Sequence, residues 1–212
     1  QLHESDYVKY GTPIITVEHL GDFGITYKED TPMVSDEDKS RLKQYILEED
    51  DIVFSRVGSI DRNALIQEYE TGWLFSGRLL RIRLKKGISA RYVSFYFKGK
   101  SFQDRIKSVA VGQTMASLNT AILKNVLVIL PPLDEQRRIA EAFSDADAQI
   151  MALAGLIAKK RDIKHGTMQR LLTGQQRLAG FSGEWEVVRL GAKDITLKFV
   201  NGGTPSTQIK DY

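Results

Sequence analysis

Behind the double proline at Pro131-Pro132, apolar residues recur at Ile139, Phe143, Ala146, Ile150, Leu153 and Ile157. Their spacings of 4, 3, 4, 3 and 4 residues average close to the 3.5-residue period of a coiled-coil seam. Asp134 comes just after the prolines, past Leu133, as a candidate N-cap. Carrying the spacing onward gives Lys160, Lys164, Thr167 and Leu171. The seam therefore turns polar in its last third, with Ile163, Met168 and Leu172 as alternative apolar positions. Alanines at 140, 142, 146, 148, 152, 154 and 158 would let a partner backbone approach closely. A helix from Asp134 to Leu172 would be about 58 Å long at ~1.5 Å per residue. A rod of that length cannot dry its seam against a domain at one end, and the sequence offers no second helix to match it. The expected partner is another molecule or another part of a longer parent chain.

Upstream of the prolines the pattern is different. Ile14 to Val17 is rich in β-formers and follows a Gly-Thr-Pro break. Residues 35–45 are highly charged and predict a short exposed helix. Asp51 to Arg56 reads as a strand, followed by a polar turn from Gly58 to Asn63. Leu79 to Leu84 alternates apolar and basic residues, which in a strand places Arg81 and Arg83 on one face. Ala90 to Val109 is helical in pattern, broken at Gly99, and its aromatic residues are expected in the core. Ser117 is expected to cap a short helix, and the apolar run Val126 to Leu130 to form a buried strand. The expected fold class is α+β: a mixed α/β domain over 1–132, one long coiled-coil helix over 133–173, and a linker with a further strand, Trp185 to Leu190, over 174–212.

The chain has 212 residues, 42% hydrophobic and 27% charged, which excludes a wholly disordered polymer. No run approaches the roughly 18–20 apolar residues of a membrane-spanning helix, and the first residues carry no secretory pattern. Cysteine is absent, which removes disulfides, zinc knuckles and a thiol nucleophile together. A cytoplasmic protein is the expectation.

Net charge is only +3, but it is unevenly placed. Residues 1–55 hold 5 basic and 13 acidic side chains, whereas residues 78–126 hold 11 basic ones and a single acid, Asp104. Such an acid-poor stretch fits a polyanion-facing surface. The competing reading is that these bases point several ways and pair with the acidic N-terminal third. The cluster Glu48-Glu49-Asp50-Asp51 reads as a solvated loop.

Catalytic patterns are missing. There is no Walker-type Gly-x-x-x-x-Gly-Lys-Ser/Thr loop, since Ser94 stands where its first glycine would precede Gly99-Lys100-Ser101, and no Gly-x-Ser-x-Gly elbow. His3, His19 and His165 are scattered, without metal-ligand spacing, and are expected on the surface. Pro131-Pro132 is flanked by leucines, so the polar residue that opens an amino-methyltransferase motif is absent. The chain reads as a binding protein, with no enzyme activity, metal or cofactor expected.

The residues from Leu130 to Ala140, Leu-Pro-Pro-Leu-Asp-Glu-Gln-Arg-Arg-Ile-Ala, resemble the signature of type I restriction–modification specificity (S) subunits. Leu171-Leu172-Thr173-Gly174-Gln175-Gln176-Arg177-Leu178 is similar to the family's ending of the same helix. Asp50 to Gly58 resembles its Gly-Asp-Ile strand, with Asp50 where the family usually has glycine. Gly112-Gln113-Thr114 followed by Leu118 resembles its Gly-x-Thr loop, and Trp185 to Leu190 with Gly202 to Pro205 the opening of a target recognition domain.

The resemblance implies that the chain reads half of a bipartite duplex DNA sequence and that its helix binds methyltransferase (M) subunits, with restriction (R) subunits completing the complex. Catalysis would belong to those partners. Phosphate contacts would come from Arg81, Arg83, Arg91, Lys98, Lys100, Arg105 and Lys107. Base reading would come from loops carrying Arg56, Ser59, Arg62, Asn63, Gln113 and Thr114. The partner interface would be Ile139, Phe143, Ala146, Ile150, Leu153, Ile157 and Leu171. The recognition domain begins without its opening Trp strand, and such a segment recurs downstream. Either the chain is a piece of a two-domain subunit, or it is a permuted half subunit that pairs as an antiparallel dimer, residues 185–212 completing the partner's domain. The alternative function is a coiled-coil module that occupies M subunits without reading DNA; a nuclease with a dispersed metal site is a third.

Overall fold

A computed structural model of the chain describes residues 6–110 and 117–202. The chain forms two units, Gln1–Leu153 and Ala154–Tyr212. In the first, β1 (Thr12–Ile15) lies between β4 (Met33–Val34), antiparallel, and β7 (Leu74–Phe75), parallel. A small hairpin joins β2 (Leu20–Gly21) to β3 (Gly24–Ile25). The other sheet is antiparallel, with β5 (Ile52–Ser55) between β6 (Asn63–Leu65) and β8 (Leu79–Ile82).

The central strand explains the core. Ile-Val-Phe in β5 is a continuous apolar run, the pattern of a strand covered on both faces. Ile52 and Phe54 enter one cluster with Leu80, Val93, Phe97, Phe102, Ile106 and Leu118. Val53, pointing the other way, enters a second cluster with Ile15, Leu20, Leu47, Ala64, Ile66 and Leu79. Of the aromatic residues of the 90–109 segment, Tyr92, Phe97 and Phe102 are core, as expected, and Phe95 and Tyr96 are partly buried against it. Phe97 stacks on Phe102 at 4.5 Å, and Phe54 meets Phe97 edge-on at 5.7 Å.

Helix boundaries follow local chemistry. Ser35 caps α1 (Asp36–Arg41), which buries no residue. Ser89 caps α2 (Ala90–Lys98), accepting from Tyr92 N, and Gly99 separates it from α3 (Lys100–Val109). The short helix α4 (Thr120–Lys124) is capped by Asn119, not by Ser117. Both are good caps, but Ser117 is held in an antiparallel bridge with Val57, which leaves the cap to the next polar residue. The run Val126 to Leu130 is not a buried strand. Leu127 is 74% and Ile129 68% exposed, and only Val126 packs against the core. Arg105 and Tyr92 hold the backbone carbonyls of Leu127 and Ile129 from the side. Apolar composition alone supplied no neighbouring strand to pair with.

The long helix α5 (Leu133–Leu172) is continuous over 40 residues. It starts one residue before Asp134, so Asp134 lies in the first turn with Glu135, where the helix dipole favours acids. Its start is clasped to the domain that precedes it. The buried Gln136 accepts from Ser89 N at 3.0 Å and donates to Pro131 O at 2.7 Å. Ala140, one turn on, is buried in the core. Ile139 packs there too, a correction to its expected place on the partner seam, and Phe143 is half exposed with its ring 5.4 Å from that of Phe95. From Ile150 onward the seam is open: Ile150, Leu153 and Ile157 are 52–58% exposed.

In the second unit the helix ends at Gly174, which supplies the left-handed residue at φ 75°. Beyond it the described chain has no strand, so Trp185 to Leu190 is not the strand its composition predicts. A lone extended segment has no ladder to join. Instead the Arg177 guanidinium lies 4.9 Å from the Trp185 ring centre and donates to Gly183 O.

Candidate nucleic-acid interface

The turn from β5 to β6 is held at its centre and at its base. Ile60 at its centre is buried and anchors it, while Ser59 and Arg62 are exposed. Gly58 adopts φ 76°, a left-handed conformation that suits glycine. Two other segments are stapled to its base. Arg56 N donates to Arg78 O at 3.0 Å, and Leu118 N donates to Arg56 O at 2.8 Å. The half-buried Arg56 also reaches Gly77 O through Nη1 at 3.4 Å. Asn63, expected on this turn, is instead a buried residue of β6 opposite Phe54, and its Oδ1 accepts from Ser94 Oγ at 2.9 Å. That internal partner removes it from the exposed readers. Gln113 and Thr114 lie outside the described residues.

The basic stretch does not form one uniform face. Arg81 in β8 and Arg83 just past its end do face the same way, as alternation predicts, but that side meets the acidic turn. Arg81 donates to Ile46 O at 2.6 Å. Arg83 grips Asp51 with two hydrogen bonds and reaches Glu48 at 2.6 Å. Hydrogen bonding to Asp51 raises the Arg83 pKa above its ordinary value. Asp51 is fully buried, so the 48–51 segment is not simply a solvated loop. For Arg83, pairing with the acidic N-terminal third is the observed outcome.

The helical bases are placed differently. Lys98 donates to Asp22 O, and Arg105 to Leu127 O at 3.0 Å. Lys100 pairs with Asp104 along α3, and Lys107 with Asp61 at 3.0 Å. Burial pushes the Asp61 carboxyl up, but the Lys107 hydrogen bond and charge outweigh it and leave the pKa lowered. These are exposed pairs, which a phosphate can compete for at small cost. Arg91 is exposed, with no side-chain partner among the described residues.

Beside the turn lies a cleft of about 870 Å³, with Thr16, Lys28, Tyr45, Phe75 and Arg78 among its walls. His19, expected on the surface, is buried at its edge. Its Nδ1 accepts from Thr16 N at 3.0 Å, which leaves Nε2 to donate to Thr31 Oγ1 at 3.1 Å. Desolvation lowers its pKa from 6.5. Sequence reasoning also missed the Gln136 clasp. The signal was present in the spacing, since Gln136 and Ala140 are four apart and share one helix face.

Among the described residues, no helix is long and apolar enough to cross a membrane. The profile of a family described as "Type I restriction modification DNA specificity domain" matches residues 2–159. A Methanocaldococcus jannaschii protein named as the MjaX specificity subunit of a type I restriction enzyme is 30% identical, over 93% of this chain and 49% of its own length. The EcoKI specificity subunit of Escherichia coli K12 is 23% identical, over 81% of this chain and 41% of its own. The crystal structure of a type I restriction–modification S subunit from M. genitalium matches 80% of this chain and 41% of its own, with TM-score 0.52 and 18% identity, a likeness of fold. The chain spans about half the length of the curated relatives it matches. With a family profile covering the α/β domain and the first two thirds of the long helix, the chain belongs to the type I restriction–modification DNA specificity family.

Proposed function

We propose that this chain is a non-catalytic DNA-reading element of a cytoplasmic type I restriction–modification complex. Residues 1–132 act as a target recognition domain for one half of a bipartite duplex sequence. Residues 133–173 act as the spacer helix that docks on a second helix and on methyltransferase subunits, with restriction subunits joining the same assembly. Residues 174–212 open a second recognition domain or complete a partner's. The second helix comes from an antiparallel copy or from the other half of a two-domain subunit.

The observation that carries this reading is the family match across residues 2–159, which takes in the recognition domain and the clasped start of α5 together. A rigid joint between reading head and rod is what a spacing device needs. Of the candidate readers, Ser59 and Arg62 stand exposed on the anchored turn. Lys98, Lys100, Arg105 and Lys107 are the candidates for phosphate contacts. Arg81 and Arg83 are left out, since they hold the acidic turn.

The test is selection from random duplex DNA by the chain assembled with its methyltransferase subunit, followed by affinity measured against salt. A consensus half-site and a steep loss of affinity with salt are expected. Assembly with the methyltransferase but no selected sequence would favour the interaction module that leaves DNA unread.

A further inference from the structure

We propose that Arg78, on the turn between β7 and β8, is a sequence-reading residue that donates to the major-groove edge of a guanine. This assignment rests on the reading of the chain as a DNA-recognition element, and it adds a residue that the motifs did not single out.

The placement of the turn is the first argument. Ser76, Gly77 and Arg78 connect two strands in three residues, closed by Leu79 N donating to Ser76 O at 3.0 Å. Ser76 N is fixed to Ile15 O at 2.8 Å, and Arg78 O receives Arg56 N at 3.0 Å. The backbone that carries the Arg78 side chain is therefore held from both sides, by β1 and by the anchored turn at Arg56–Arg62. A reading group gains most when its support is already rigid.

Availability is the second argument. Most bases of the 78–126 stretch have internal partners: Arg81 and Arg83 at the acidic turn, Lys98 and Arg105 on backbone carbonyls, Lys100 and Lys107 on aspartates. Arg78 is exposed and makes no side-chain hydrogen bond or ion pair among the described residues. Nothing lies within 4 Å of where a Cβ would stand on Gly77 or Gly58, so both neighbouring loop tips are open to an approaching surface.

Residue type is the third. Lys85, Lys86 and Lys124 are exposed point charges suited to phosphate. Arg78 alone on the short turn presents a planar fork, which matches the O6 and N7 acceptors of guanine. It stands at the rim of the 870 Å³ cleft, beside Lys28 and Tyr45.

The test uses the full chain, with R78A and R78K, in selections from random duplex DNA and in affinity measurements against salt. For both variants one base-pair position of the consensus is expected to lose its preference by about fivefold or more, because lysine keeps the charge and loses the fork. The salt dependence of R78K is expected to match that of the parent. A consensus kept at every position by both variants overturns the assignment, whether or not affinity falls; uniform weakening by R78A with a shallower salt slope would make Arg78 a phosphate contact. If the parent chain selects no sequence, the DNA-reading proposal itself fails and this assignment falls with it. R78K preserves charge and bulk, so it decides the matter even if R78A folds poorly.

Discussion

Arg83 Nε and Nη2 donate to Asp51 Oδ1 and Oδ2, each across 2.7 Å, in a parallel fork that joins the residue just past β8 to the residue just before β5. Asp51 Oδ2 also accepts from Glu48 N at 2.9 Å. The carboxylate is fully buried, whereas the Arg83 side chain is 41% exposed. The two ends of the pair are therefore unequal. Asp51→Ala strands the Glu48 N–H but removes the buried charge, and is expected to cost about 1–3 kcal/mol. Arg83→Ala is expected to cost more, about 3–5 kcal/mol, because it leaves the buried Asp51 carboxylate without its forked partner. Urea denaturation of the two variants reads the difference. Equal losses would mean that the stranded carboxylate carries no penalty of its own.

Asp50, next to that carboxylate, adopts φ 66°, the one non-glycine residue with positive φ among the described residues. The resembling family motif usually has glycine at this position, and the backbone gives the reason, since a left-handed residue with a Cβ is strained. Asp50→Gly is expected to raise stability by about 0.5–1 kcal/mol with no change in DNA affinity. A lower midpoint in thermal melts of D50G would show that the Asp50 side chain does something the strain argument ignores.

His19 gives the fold a defined response to acid. Desolvation and the nearby Lys28 lower its pKa, against the opposing pull of Glu18 and Asp30. The folded state thus keeps the ring neutral at a pH where the unfolded chain protonates it. Its contribution is present above the ordinary value of 6.5 and is lost as the pH falls through 6.5 toward the lowered one. His19→Gln is expected to be less stable at neutral pH, because it gives up the Thr16 and Thr31 hydrogen bonds, and to lose the part of the acid slope that begins near pH 6.5. Stability curves for both proteins from neutral to mildly acid conditions check this; parallel curves would remove His19 as the source.

What the residues announced in advance was local. The glycine break between α2 and α3, the short exposed helix within 35–45, the strand that follows Asp51 and the run of α5 all follow from neighbours within a few positions. What stayed hidden depends on partners far along the chain. Nothing near Arg83 indicates that its acid sits 32 residues earlier, so a charge count over 78–126 overstates the free basic surface. Asn63 is polar and follows a turn, yet strand pairing with Phe54 and a hydroxyl on α2 draw it inside. His19 is buried by two threonines, at 16 and 31, that the sequence spaces unevenly around it. The exposed run at 127–130 fails as a strand for the same reason: pairing is settled by an available edge, and hydrophobicity alone does not create one.

The open stretch of α5 yields the sharpest test of assembly. Ile150, Leu153 and Ile157 keep the coiled-coil spacing but remain half exposed, and none of them packs in the core clusters. Water on such a stripe is unfavourable by roughly 25 cal/mol per Å² of apolar surface, which a second helix would recover. The start of the helix is different, since Gln136 and Ala140 are buried against the α/β domain. Replacing Ile150 and Ile157 together by glutamate is therefore expected to abolish helix-mediated association while shifting the domain's own stability by no more than about 0.5 kcal/mol. Gln136→Ala should do the reverse, loosening the domain–helix joint and lowering stability by about 1–2 kcal/mol while self-association persists. Sedimentation of the three proteins at micromolar concentration, alone and with the methyltransferase subunit, separates the two effects. If the double glutamate variant associates as the parent does, the stripe is not the docking face, and the rod must engage its partner through the alanine-rich side.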